Sequence, residues 1–239
     1  MNKTITRRIV LAGATSLGGL IGFAQAKVIN GSLPWEPGAL NAPVHGILPS
    51  TQKFLTVAES KLLSAIADRL IPEDELSVSG SKAGCVEFID RQLAGPYGRA
   101  AAMYMRGPFI QGTPEQGIQT ATTPAERYRT GLRELSVYVQ SKYGKLFEEL
   151  PVETQDQILS ALENQMVNLP SMKGKTFFEQ VLQNVREGYL ADPIYGGNRD
   201  MVSWKMIGFP GARYDYRDYM DIKNRDLKLE PVSLVDRMI

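Results

Sequence analysis

Apolar positions recur along this chain at intervals of three and four, and five stretches do so clearly enough to predict helices. The first opens at Thr56-x-x-Glu59, a capping box in which each side chain satisfies a free N–H of the first turn. Leu62, Leu63, Ile66, Ala67 and Leu70 follow on one face until Pro72 stops the helix. The second runs from about Ala83 to Leu93 with Val86, Ile89 and Leu93 on its stripe, placing Cys85 near its start and off that stripe. The third has the strongest start, because Thr123-Pro124-x-Glu126 joins an N-cap, a first-turn proline and a capping glutamate. Its buried face is Tyr128, Leu132, Leu135 and Val139, and the pattern extends to about Phe147. A fourth follows Pro151 with Ile158, Leu159 and Leu162 inward. The fifth, from about Thr176 to Tyr189, carries Phe177, Phe178, Val181, Leu182 and Val185. No alternating period-two stretch of useful length appears, so the expected fold class is all-α.

Between and beyond these helices the pattern breaks down. Residues 27–53 hold Pro34, Pro37, Pro43 and Pro49 and read as an extended arm, in which Trp35 and His45 lie. Trp35 either anchors the arm on a partner or tucks against the chain's own helices. Residues 95–123 form a loop long enough for a compact domain to suggest a functional or partner-facing role. From Gly188 the chain becomes rich in Gly, Pro and aromatic residues, with Tyr or Trp or Phe at 189, 195, 204, 209, 214, 216 and 219. Two readings stay open for this segment, 188–220. One is a wrap over the chain's own helices, and the other a docking surface, since Tyr, Trp and Arg are the usual interface anchors. The predicted layout is therefore a leader at 1–26, an arm at 27–53, and one irregular helical domain at 54–239 that includes this segment.

The leader has three parts. Lys3, Arg7 and Arg8 make a basic start, Ile9–Phe23 is apolar or small, and Ala24-Gln25-Ala26 offers small residues for a signal peptidase. The apolar part is short and Gly-rich for a lasting membrane span. Paired Arg7-Arg8, followed by Ile9-Val10-Leu11, resembles the twin-arginine type of export signal, which carries proteins already folded. Loss of residues 1–26 removes three basic residues and no acidic one, which turns 27 Lys+Arg against 26 Asp+Glu into a formal charge of −2. Such a chain has no basic excess for nucleic acid. Nothing after residue 26 is long and apolar enough to span a bilayer, so membrane attachment is expected through a partner.

The ligand inventory is the tightest constraint. One cysteine, Cys85, and one histidine, His45, cannot assemble a c-type haem site, an iron–sulfur cluster or a structural zinc site. Neither G-x-G-x-x-G nor G-x-x-x-x-G-K-[ST] occurs. Glu59 belongs to a cap, Asp68 lies two turns along the same helix and Asp192-Pro193 reads as a turn; neither these nor Asp74 and Asp90 are assigned as an acid or base. The expectation is no catalytic, cofactor-binding or metal residue in this chain. A folded-export signal on such a chain suggests a partner that needs the route.

Several segments together resemble the small (third, gamma) subunit of membrane-bound gluconate 2-dehydrogenase and related sugar and polyol dehydrogenases. They are the leader, Phe54-Leu55-Thr56-x-x-Glu59, Ala65-Ile66-Ala67-Asp68-Arg69-Leu70-Ile71-Pro72 and the Gly84–Leu93 helix. The most specific are Asp192-Pro193-Ile194-Tyr195-Gly196-Gly197-Asn198 and Trp204-Lys205-x-Ile207-Gly208. The resemblance implies a heterotrimer at the periplasmic face of a bacterial inner membrane. A large subunit would hold FAD and oxidise the sugar acid or polyol, and a cytochrome c subunit would pass electrons to quinone. The small subunit would assist folding and export of the flavoprotein, docking through Asp192, Pro193, Tyr195, Gly196, Gly197, Asn198, Trp204, Gly208 and Tyr214. The resemblance further implies a cysteine bonded to the flavoprotein; Cys85 is either that residue or a small buried one. The competing readings are a dehydrogenase that borrows a flavin and a free-standing periplasmic small-molecule binding protein.

Overall fold

The computed structural model describes residues 52–110, 112–113, 116–213 and 215–234. Arg7, Arg8, Ala24 and Ala26 of the leader, and the arm as far as residue 51, lie outside them, as does Tyr214. The described chain is helical, in the order α1 (Val57–Leu70), α2 (Cys85–Ala94), α3 (Pro124–Tyr143), α4 (Val152–Glu163), α5 (Gly174–Leu190) and α6 (Val202–Ile207). Only isolated bridges, Leu169 with Met172 and Gly211 with Val232, interrupt that pattern among the described residues.

Both predicted capping boxes form. Thr56 N donates to Glu59 Oε2 (2.8 Å) while Glu59 N donates back to Thr56 Oγ1 (3.3 Å), and Thr123 and Glu126 repeat the exchange at 2.7 and 3.3 Å. Helix α3 stops at Tyr143, four residues short of the expected end. Gly144, at φ 68°, closes it in the left-handed conformation that glycine adopts without strain. Phe147 then begins a separate 3-10 turn whose ring is fully buried.

α5 packs most extensively on α2 and α4, and α1 touches all of the longer helices. The core runs through Leu63, Ile66, Ile89, Leu132, Leu135 and Val185, and the rings of Tyr128 and Phe177 meet edge to face at 6.2 Å. The buried stripe of α2 differs from the expected one. Cys85, Phe88, Ile89 and Leu93 are buried while Val86 is only half-buried, so Cys85 lies on the stripe rather than off it. The reason is the turn before α2, where Gly84 at φ 89° rotates the first residue inward.

Polar groups tie the entry of the chain to this core. Asp90, itself buried, accepts from the backbone N–H groups of Lys53 (2.7 Å), Phe54 (2.9 Å) and Leu55 (2.7 Å). Arg129 donates to the Phe54 carbonyl (2.7 Å), pairs with Glu59, and lies 4.2 Å over the Phe54 ring. Burial pushes the Glu59 carboxyl up, but its bonds from the Thr56 backbone, Arg129 and the Thr56 hydroxyl together bring it below the ordinary value. α1 and α4 are joined by Arg69, whose guanidinium grips Asp156 with two parallel bonds of 2.7 and 2.9 Å.

Replacing Asp90 with Ala strands three backbone donors at once. Asp90→Ala is expected to cost about 3 kcal/mol and to lower the melting temperature by about 10 °C. Calorimetry that finds the variant within about 2 °C of wild type would remove Asp90 as the anchor of the entry segment.

Candidate docking surface

The C-terminal segment is built backbone against backbone. After α5 the chain turns into a short 3-10 helix, Pro193–Tyr195, capped by Asp192, whose Oδ1 accepts from Ile194 N at 3.0 Å. The same carboxylate accepts from Ser233 Oγ (2.7 Å) and Leu234 N (2.9 Å), so it also holds the far end of the described chain. Gly196 and Gly197 then pass between the N-terminus of α2 and the C-terminus of α5. A Cβ on Gly84 would stand 2.5 Å from the Gly196 carbonyl oxygen, and one on Gly197 would stand 2.0 Å from that of Gly188. Neither contact tolerates a side chain, because the obstructing atoms are backbone. Arg199 N donates to the Ala83 carbonyl at 2.8 Å and locks the crossing.

Asn198 is the pin of this turn. It is 0 % exposed, donates through Nδ2 to the Ala191 carbonyl (2.9 Å) and accepts through Oδ1 from Ser203 N (3.0 Å) and Ser203 Oγ (2.8 Å). Asn198, Asp200 and Met201 all have left-handed backbones, at φ 44°, 58° and 55°. Non-glycine residues adopt that region at a cost, and it persists where surrounding contacts over-determine it. Those contacts are the bonds of Asn198 and the burial of Met201 and Trp204. Trp204 Nε1 donates to the Leu190 carbonyl at 2.9 Å, and its ring meets Phe209 edge to face at 5.2 Å. α6, which the pattern of residues did not suggest, is the short helix that carries Trp204 inward and ends at Gly208, φ 69°.

The residues singled out from the sequence therefore divide. Gly196, Gly197, Asn198 and Trp204 are spent inside the chain, and Asp192 and Pro193 are half-buried. Tyr195 (51 % exposed) and Gly208 face outward, joined by Met206, Ile207 (56 %), Phe209 and Tyr216. Met206 and Ile207 were not singled out from the sequence as docking residues, because the short helix that turns them outward, opposite Trp204, left no readable period. Beside them is an open cleft of about 500 Å³, walled by Trp204, Phe209, Pro210 and Tyr216 with Arg225 and Lys228 on its margin. Residues 225–231 are held over it by the bonds Ala212 N to Val232 O (2.7 Å) and Val232 N to Pro210 O (3.2 Å).

Cys85 is placed differently. Its thiol is fully buried, and burial, helped by the charge of Asp68, pushes it up to about 12. From that position it reaches no partner surface unless the turn before α2 opens. Among the described residues no group of three or more His, Cys, Asp or Glu converges as metal ligands, and no helix is long and apolar enough to cross a membrane.

The described residues thus form a helical body that fixes an exposed, aromatic-rich surface through glycine contacts. The chain belongs to the gluconate 2-dehydrogenase subunit 3 family, whose model matches residues 57–211. That span runs from the first residue of α1 to Gly211 and takes in the whole glycine crossing. No curated protein and no solved structure matches the chain.

Two outcomes check this construction. Gly197→Ala is expected to cost about 3 kcal/mol through backbone collision, whereas Gly208→Ala, with nothing within 4 Å of the added Cβ, costs about 1 kcal/mol. Equal melting temperatures for the two variants contradict the crossing. Native Cys85 is expected to react with a thiol reagent at pH 8 on the order of a thousandfold more slowly than in denaturant. Rapid native labelling places the thiol at the surface instead.

Proposed function

We propose that this chain is the accessory small subunit of a membrane-bound, flavin- and cytochrome c-containing complex of the gluconate 2-dehydrogenase type. In this reading it carries no catalytic residue. Its leader takes it across the inner membrane by the twin-arginine route, bound to a large FAD subunit that is folded and exported with it. The flavoprotein oxidises a sugar acid or polyol, with D-gluconate to 2-dehydro-D-gluconate as the first choice, and the cytochrome subunit carries the electrons onward to quinone.

The observation that carries this reading is the family match over residues 57–211, which includes the segment Asp192–Gly208. Geometry supports it in a specific way. Tyr195, Met206, Ile207 and Phe209 are large apolar side chains held outward on a backbone fixed by Gly84, Gly188, Gly197 and Asn198. Preorganised aromatic and aliphatic anchors of this kind lose little freedom on association. The flavoprotein is the partner proposed for them. The buried residues of the same segment act by holding that surface in place, so their loss would weaken docking indirectly. Cys85 is left out of the contact because its thiol is inside the core.

The decisive experiment is a mild-detergent purification of the tagged chain from membranes. Flavin and haem absorbance with two larger partners is expected. A colourless chain purified alone favours a free-standing periplasmic binding protein, for which the cleft beside Trp204 would be the site. In the same strain, replacing Arg7-Arg8 by Lys-Lys is expected to leave the flavoprotein in the cytoplasm and to abolish membrane dehydrogenase activity. An active flavoprotein at the membrane in that strain rules out joint export.

A further inference from the structure

The long loop between α2 and α3 is used by none of the foregoing. Between Asp90 and Glu115 the sequence contains no acidic residue, while Arg99 and Arg106 flank Met103-Tyr104-Met105 and Phe109-Ile110 follows. Tyr104 is 81 % exposed and Ile110 73 %, and Met103, Arg106, Pro108 and Phe109 are exposed with them. Arg106 makes no ion pair among the described residues, and Arg99 only a long contact (3.4 Å) to the Ala94 carbonyl.

The loop is nevertheless firmly rooted. On one side Gly98 N donates to the Gln92 carbonyl (3.1 Å), and the Tyr97 hydroxyl donates to Asn184 Oδ1 (3.1 Å). On the other, buried Arg127 donates to Thr120 Oγ1 (3.1 Å) and the Thr122 carbonyl (2.5 Å) while gripping Gln180 Oε1 at 2.7 Å. Ala125 N closes the base on the Gly98 carbonyl at 3.1 Å. The tip thus projects from fixed feet.

We propose that residues 99–110 are a peripheral membrane contact, docking on an anionic lipid surface. Aromatic and aliphatic side chains beside unpaired arginines, with no carboxylate among them, are the chemistry of interfacial lipid binding. A protein partner is the poorer fit, because no side chain from Ala100 to Ile110 makes a hydrogen bond that would orient it for specific recognition among the described residues. The insertion has a natural limit. Residues 104–110 adopt no helix or strand, so their backbone groups need water or headgroups, and only the side chains of Met103, Tyr104, Phe109 and Ile110 enter the apolar boundary. The attraction is local, since the chain without its leader has a formal charge of −2. This inference stands whether or not the subunit reading does.

The test uses the full chain with an environment-sensitive fluorophore on Tyr104→Cys, the buried Cys85 staying unlabelled in the native state. Val137→Cys is the control, an exposed position roughly 20 Å along α3 from the loop's foot. Vesicles of phosphatidylcholine with phosphatidylglycerol are expected to shift the label at 104 to the blue and leave that at 137 unchanged. Adding Arg99→Glu and Arg106→Glu is expected to raise the lipid concentration at half-shift on the order of 30-fold. No shift at 104 overturns the proposal, as does an equal shift at both positions, which reports adsorption through the leader. A shift that survives the charge reversal, or that appears equally with phosphatidylcholine alone, also overturns it. A shift produced only by a protein partner assigns the loop to that partner.

Discussion

The C-terminal segment meets the helical body main chain against main chain. Gly196 and Gly197 cross α2 and α5 at distances that admit no Cβ on Gly84 or Gly197, and Arg199 N and Asn198 supply the hydrogen bonds that such a dry crossing requires. Everything beyond α5 takes its place from there. The 3-10 helix at Pro193–Tyr195, the inward Trp204 and the outward Ile207 all follow once the turn at Asn198 is fixed. Three left-handed non-glycine residues in four positions cost about 1 kcal/mol each. The three hydrogen bonds of Asn198, at about 1 kcal/mol apiece, and the burial of Met201 and Trp204 offset that cost. No disulfide or sheet is needed among the described residues to hold the segment.

The same logic, buried polar atoms with all their partners close by, governs the opposite foot of the fold. Arg127 is a buried cation whose neighbours are an amide, a hydroxyl and a carbonyl rather than a carboxylate, and burial lowers its proton affinity. Asn184 accepts from both the Tyr97 and the Tyr128 hydroxyls at 3.1 Å and donates to Glu187 at 2.9 Å. Burial pushes the Tyr128 hydroxyl far above its ordinary value, so it remains a donor. These bonds cross from the loop to α3 and α5, and they let a long irregular segment start and finish at set points.

How much of this was legible in the sequence depends on how far each signal reaches. Capping boxes are local, and Thr56/Glu59 and Thr123/Glu126 form as read; helix faces repeat locally too, and Tyr128, Leu132, Leu135 and Val139 are all buried. The end of α3 was misplaced because apolar Leu146 and Phe147 continued the period past Gly144, whose positive φ overrides it. Cys85 was put on the wrong side of α2 because its direction is set by Gly84, and Gly84 is set by Gly196, more than a hundred residues away. Asp90, Arg127 and Asn184 carried no sequence signal of their buried roles, since their partners lie far along the chain. In Asp192–Gly208 the concentration of glycines was readable. Which backbone each one would meet was not, so the sequence left wrapping and docking as alternatives, of which the fold displays the wrap.

That arrangement separates the inward from the outward residues of the segment. At the crossing, the essential residues are glycines with no side chain or Asn198 and Trp204 with side chains turned inward, so none of them presents a group that a partner would read. Tyr195, Ile207 and Phe209 do present such groups, and they make little contribution to the core because they are half or more solvent-facing or stacked only on Trp204. Substitutions at exposed positions of this sort usually change stability by no more than about 0.5 kcal/mol. The buried framework and the exposed side chains are therefore supplied by different residues of one segment. The backbone can keep its geometry while the outward side chains vary.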